Sequence, residues 1–268
     1  MLRMVLPAVA GLLLVAACAN VTPLESGKSY LEGYRPAAPS AARSAFDGTG
    51  DDRVAIDADV YAAAMADPDL TFPARLGLVR IVRGRVAPLS QDEIDLWVEL
   101  ADTLGPDFGE FVPISPFVAG IVRGGVRTTR DCHWYSNCRA GAAVKEVRLA
   151  AARQRVDAVL VYEVLGSADD HSTPLSLADL TIVGAFLIPS RVLKAGAVAS
   201  AILIDVRTGF VYGTARGQAD KRGLSTRVGA SGRTDKLQAR TETAAVAALT
   251  TNVEVMAREL YRRIETHR

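Results

Sequence analysis

Two amphipathic repeats stand out along the chain. After Ser90, the apolar residues Ile94, Trp97, Val98, Ala101 and Leu104 recur at helical spacing. Ser90-Gln91-Asp92-Glu93 reads as a capping box before them, and Gly105-Pro106 as the stop. Near the C-terminus, Val246, Leu249, Val253, Met256, Leu260 and Ile264 recur in the same way. This run is shorter than a coiled coil needs, so it predicts a helix with one face docked on a sheet. Between the two, an Ala-rich helix over residues 144–153 runs into a nearly continuous apolar stretch, 158–165. Such a run predicts a strand covered on both faces. Residues 181–188 and 197–206 are also β-type, and Arg207-Thr208-Gly209 makes a hairpin turn. Earlier strands are expected at 76–82 and at 111–115, where Pro113 argues for a sheet edge. A short helix is expected over 56–66, with Val60, Ala63 and Ala64 on one side. The fold class predicted is α+β: a mixed sheet with helices packed on it.

Three stretches lack such a pattern. Residues 20–52 carry Pro23, Pro36 and Pro39 among Ser, Gly and Ala, and read as a flexible tether. Residues 118–141 read as an exposed hairpin or loop. Residues 216–240 are polar and rich in Gly and Ser, and read as a mobile loop or the ends of a long hairpin.

Composition adds the compartment. With 31 Lys and Arg against 30 Asp and Glu, the whole chain offers no strong field to nucleic acid or to an anionic membrane. Arg3, an apolar run over 5–16 and the small pair Ala16-Ala17 have the order of an export signal. The run is too short to span a bilayer, which takes about 20 apolar residues. Val15-Ala16-Ala17-Cys18 resembles the lipobox of bacterial lipoproteins. That resemblance implies a palmitate-type lipid anchor on Cys18. Ala19, where an Asp would mark inner-membrane retention, implies the outer membrane and a periplasm-facing domain. Three parts follow: a signal peptide over 1–17, a lipidated tether over 18–52, and one periplasmic domain over 53–268.

Export also governs the cysteines. Of three Cys, Cys132 and Cys138 remain once Cys18 is set aside, and an oxidising compartment predicts a disulfide between them. A loop so short would stabilise by roughly 2 kcal/mol. Cys132, His133 and Cys138 do not have the spacing of a zinc finger, so no metal and no cofactor are expected. Arg123, Arg127, Arg130 and Arg139 surround Trp134 and Tyr135. They form a candidate partner surface, because guanidinium forks suit anions and aromatic rings suit interfaces. His171, in an acidic loop over 168–172, and Glu163, inside an apolar strand, are the remaining candidates for hydrolase chemistry. Neither comes with a nucleophile–base pattern, so a non-enzymatic protein is expected.

Leu149-Ala150-Ala151-Ala152-Arg153-Gln154-Arg155-Val156-Asp157-Ala158, an Ala-rich helix leading to an acidic residue and a strand, resembles a recurrent pattern of bacterial cell-envelope proteins. Ile204-Asp205-Val206-Arg207-Thr208-Gly209-Phe210-Val211 is similar to its second half. Both resemble the curli-secretion-channel lipoprotein family, the amino-terminal domain of the Tol-system propeller protein, and the lipoprotein activators of peptidoglycan synthases. The resemblance implies an interaction or assembly module with an envelope protein partner. Its alternative is a subunit of an oligomeric outer-membrane secretion channel. Residues 213–240 are too charged and Gly-rich for the membrane hairpin that such a channel inserts.

Overall fold

The computed structural model describes residues 19–37, 54–125, 136–172, 191–225 and 230–267. The chain begins with β1 (Ala19–Val21), α1 (Gly27–Tyr30), β2 (Tyr34–Pro36), β3 (Val54–Ile56) and α2 (Ala58–Ala64). Then come β4 (Ala74–Val82), β5 (Arg85–Ala87), α3 (Gln91–Leu104), β6 (Gly109–Pro113), α4 (Pro116–Gly125) and α5 (Ser136–Arg153). Three long strands follow, β7 (Ala158–Ser172), β8 (Arg191–Asp205) and β9 (Val211–Ser225), and then α6 (Ala230–His267). The main sheet has the order β1-β9-β8-β7-β4-β5, with β6 also beside β4. β4 runs parallel to β6 and β7, and the other pairings in this sheet are antiparallel. The fold is therefore α+β with a mixed sheet, as the pattern predicted.

The first half of β7 shows why its sequence is apolar throughout. Ala158, Leu160 and Tyr162 join a core closed by α3 and α6 with Trp97, Leu100, Leu249, Met256 and Leu260. Val159 and Val161 point the other way, into a second core with Val147, Ala150 and Ala151 of α5 and Ala119 of α4. A period of two thus divides one strand between two helical layers.

That second layer stops early. Past Val161 on β7 and Ile202 on β8, residues of the same parity become exposed, beginning with Glu163 and Ser200. The first layer continues, because α6 is 38 residues long, about 57 Å. It lies over an alternating row of small side chains, Ala195, Ala197, Ala199 and Ala201, all buried. At Gly217 of β9 a Cβ would overlap the α6 backbone at Ala245 and Leu249. A helix can sit this close only over such small residues.

Several expectations need correction. The tether does not begin at residue 18: Ala19, Asn20 and Val21 pair with Ala215, Thr214 and Gly213 of β9. Ala19, Val21 and Leu24 pack against the α6-side core, and Leu31 is buried. Ser26 caps α1, and the Gly27 amide donates to Asp67 Oδ1 at 2.7 Å. Prolines divide this segment into pieces too short to show a period, yet β1 and Leu24 pack on the core and β2 pairs with β3. Residues 38–53 lie outside the described part. In the stretch expected as a hairpin or loop, 118–125 belong to α4 and 136–141 to α5, and Ala119 is buried; residues 126–135 lie outside the described part. Of residues 216–240, 216–225 are the end of the long β8–β9 hairpin, one of the two expected readings, but from Ala230 the chain is α6 and not a loop; residues 226–229 lie outside the described part. The helix expected at 56–66 is α2, but Val60 is exposed and no residue of α2 is buried. In α3 the capping box is present as read, while the buried face holds Glu93, Trp97 and Leu100 and leaves Val98 exposed.

Candidate functional site

The distal halves of β7, β8 and β9 form an arm that only α6 covers. Their register sets four rows across its open face: Glu163-Ser200-Arg216, Leu165-Val198-Gln218, Ser167-Gly196-Asp220 and Asp169-Lys194-Arg222. Most of these residues are exposed, and Leu165 is 67% exposed. β4 leaves β7 at Glu163, and β1 covers β9 only as far as Ala215. Among the described residues, both flanks of the arm, 164–172 and 216–225, are therefore open edges. Open edges present unpaired backbone donors and acceptors. A strand edge beside a half-polar, half-apolar face is suited to holding a peptide, another strand or a charged surface.

The base that aims the arm is a buried polar knot. Asp205, at the end of β8, is fully buried. Its Oδ1 accepts from the Arg207 and Thr208 amides at 2.7 and 2.8 Å, which shapes the turn. Gly209 completes the turn at φ 81°, a conformation open to glycine at little cost. Tyr212 Oη donates to Asp205 Oδ2 at 2.7 Å and accepts from the amides of Asp69 and Leu70 at 2.9 and 2.8 Å. Burial, then the hydrogen bond to Asp205, push the Tyr212 hydroxyl well above its ordinary range. Arg148 of α5 donates to the Val206 and Arg207 carbonyls, and Arg207 pairs with Asp69 at 2.9 Å. Strand turn, N-terminal segment and α5 are thus tied at one place. Beside it lies a cleft of about 670 Å³ lined by Pro23, Tyr30, Ala63, Arg148 and Phe210, among others.

A second polar cluster lies beneath α3. Glu93 is buried and accepts from Arg80 Nη1 at 3.1 Å and from the Ser90 amide at 3.0 Å. Tyr162 packs on Trp97 with ring centroids 5.3 Å apart. Burial, then the negative charge of Glu93, raise the Tyr162 hydroxyl far above its usual value. Together the two clusters lock β7, β8 and β9 at their proximal ends.

The candidate residues from the sequence are distributed unevenly. Cys18, Arg127, Arg130, Cys132, His133, Trp134 and Tyr135 lie outside the described residues, so the structure takes no position on the disulfide. Arg123 falls near the end of α4, and Cys138 and Arg139 fall in the first turn of α5. Both helices cover the sheet face that is left open along the arm, so these helices and the open face share a side of the sheet. Glu163 is exposed on that face. His171 lies on β7 and not in a loop, eight residues further along, or about 26 Å. The two are not brought together. Among the described residues no group of three His, Cys, Asp or Glu is placed to hold a metal.

The arm itself is what sequence reading missed. Its one signal was a period of two hidden by weak contrast, alanine and glycine alternating with polar residues.

No protein-family model matches the chain, and no curated protein matches it. Among solved structures, a PelC dodecamer from Paraburkholderia phytofirmans is similar over 69% of this chain and 92% of its own, at 13% identity and a TM-score of 0.28. Lipoprotein GNA1162 from Neisseria meningitidis is similar over 63% of this chain and 94% of its own, at 17% identity and a TM-score of 0.27.

Proposed function

We propose that this chain is a lipoprotein of the bacterial outer membrane, acylated at Cys18 and facing the periplasm, and that it acts as a non-enzymatic interaction and assembly module. One observation carries the interaction role: β7, β8 and β9 extend past the double-sided core and keep one face and both edges open. A sheet whose open face mixes Leu165 and Val198 with charged rows is built for a partner of mixed polarity. By residue type we assign Arg123, Arg127, Arg130, Trp134, Tyr135 and Arg139 to the same partner surface, with a disulfide between Cys132 and Cys138 pinning the segment. The address rests on the lipobox residues Val15-Ala16-Ala17-Cys18.

The test is a photo-crosslinking amino acid placed at Leu165 and at Gln218, with Val98 of α3 as an exposed control elsewhere. The arm positions should give one discrete adduct with an envelope protein, and position 98 none. Adducts of equal yield at all three positions would remove the arm as the binding surface.

A second reading, a subunit of an oligomeric outer-membrane channel, is favoured by one feature. The two open edges lie on opposite flanks of one ribbon, so copies can pair head to tail and close a ring. Light scattering of the acylated protein in detergent distinguishes the readings: a closed oligomer supports the second, a monomer rejects it.

A further inference from the structure

We propose that the outer flank of the arm is a membrane-docking surface, made by the β9 edge, with Lys221 on its α6 side and Arg216 and Arg222 on its open side, together with Arg233, Lys236 and Arg240 of α6. Its partner is the anionic headgroup layer of the same leaflet that holds the Cys18 anchor. The proposal rests on the reading of Cys18 as acylated.

The anchor has no linker. β1 starts at Ala19, so the Cα of Cys18 lies one peptide away, about 3.8 Å from that of Ala19. β1 is antiparallel to β9 with Ala19 opposite Ala215, so the chain enters β1 from the side of Arg216. An acyl group on Cys18 therefore brings the β9 edge to the bilayer surface, where a long tether would have held the domain away from it.

The charge of this flank fits that position. Residues 216–242 hold seven Lys and Arg against three Asp and Glu, whereas the whole chain has a net charge of only +1. On α6, Arg233, Lys236 and Arg240 are exposed and fall on one flank by their 3–4 spacing. Glu242 lies on the other flank, over Gly166 of β7, while Leu237 lies over Gly223 of β9. The basic stripe of α6 thus leans toward β9 and the anchor, away from β7.

These cations are also unspent. Arg216, Lys221 and Arg222 are exposed, and among the described residues none of them is ion-paired. Lys194 stands directly opposite Arg222 in the ladder. Asp169 faces Lys194 from β7 in the same row, so Lys194 has an acidic neighbour, whereas Arg222, at the edge, has only a cation opposite it and takes its anion from outside. Phosphates of lipid headgroups supply such anions, and the open amides of the β9 edge offer further donors to them.

The full acylated chain, placed in vesicles of equal parts phosphatidylglycerol and phosphatidylcholine, is treated with an amine-acetylating reagent and read by peptide mass. Lys145 on α5 is the reference. Lys221 and Lys236 should label several-fold more slowly than on pure phosphatidylcholine, and 0.5 M salt should restore their rates. An Arg222→Gln/Arg233→Gln/Arg240→Gln variant, which alters exposed side chains only, should abolish that protection. Equal labelling on both vesicles would overturn the proposal. So would protection that persists in detergent, which would place another protein copy on this flank. A peptide 18–28 without acyl mass would instead overturn the anchor reading.

Discussion

Removing one oxygen from the polar knot tests how the arm is held. Tyr212→Phe keeps the ring and its packing but deletes Oη. The Asp205 carboxylate then loses a donor at 2.7 Å, and the amides of Asp69 and Leu70 lose their acceptor. A hydrogen bond to a charged group contributes about 1.5–3 kcal/mol, and a buried amide left without a partner costs about 1–3 kcal/mol. Asp69 is the more solvent-exposed of the two amide residues and can turn to water, so the expected loss is about 3 kcal/mol. For a domain of this size that lowers Tm by roughly 6–12 °C. Denaturant unfolding followed by circular dichroism measures it, with the slope m unchanged and the midpoint shifted. Tyr30→Phe, at an exposed ring, is the control and should shift stability by less than about 0.5 kcal/mol. A loss below about 1 kcal/mol for Tyr212→Phe would refute the reasoning, because the knot would then not depend on that hydroxyl.

Further outcomes follow from the same structure. Tyr162 and Tyr212 have hydroxyls raised above the ordinary value near 10, so the fold retains their protons longer than the unfolded chain does. The stability that this pair contributes should be level below pH 10 and fall above it, by up to about 2.7 kcal/mol per pH unit; Tyr212→Phe should halve that slope, and an unchanged slope would contradict the assignment. Gly217→Val sets side-chain atoms against the α6 backbone and should cost at least about 3 kcal/mol or prevent folding, read as soluble yield and unfolding midpoint. Ser90→Ala removes the cap on α3 and should cost about 1 kcal/mol by the same measurement. Without reductant, Cys132 and Cys138 should both resist alkylation under denaturing conditions, and two labelled thiols would remove the disulfide.

How much of this was visible in the residues varied with their contrast. Ala158 to Tyr162 could be read as a strand covered twice because every residue is apolar, and only burial on both faces permits that. The C-terminal helix was equally plain, its buried positions Val246, Leu249, Val253, Met256, Leu260 and Ile264 being large and evenly spaced. The arm was opaque. Its buried row on β8 is mostly alanine and its close approach on β9 is Gly217, and neither stands out from polar neighbours by hydropathy. On α6 the first turns are solvated on most sides, so Arg233 to Arg240 carry no apolar stripe to mark a helix. β1 is three residues long, too short for any period, and only the edge of β9 defines it. Val98 was assigned to the wrong side of α3 because Glu93, buried by its bonds to Arg80 and Ser90, shifted the inward face. Of the candidate site, the lipobox and the arginines came from side-chain type alone. The open face came only from register, which brings residues more than 50 apart into one row.

The most direct measurement is the mass of the N-terminal tryptic peptide of the protein extracted from cell envelopes. The account predicts a peptide that begins at Cys18, ends at Lys28 and carries acyl groups on its first residue. A peptide that still joins Ala17 to an unmodified Cys18 would contradict it.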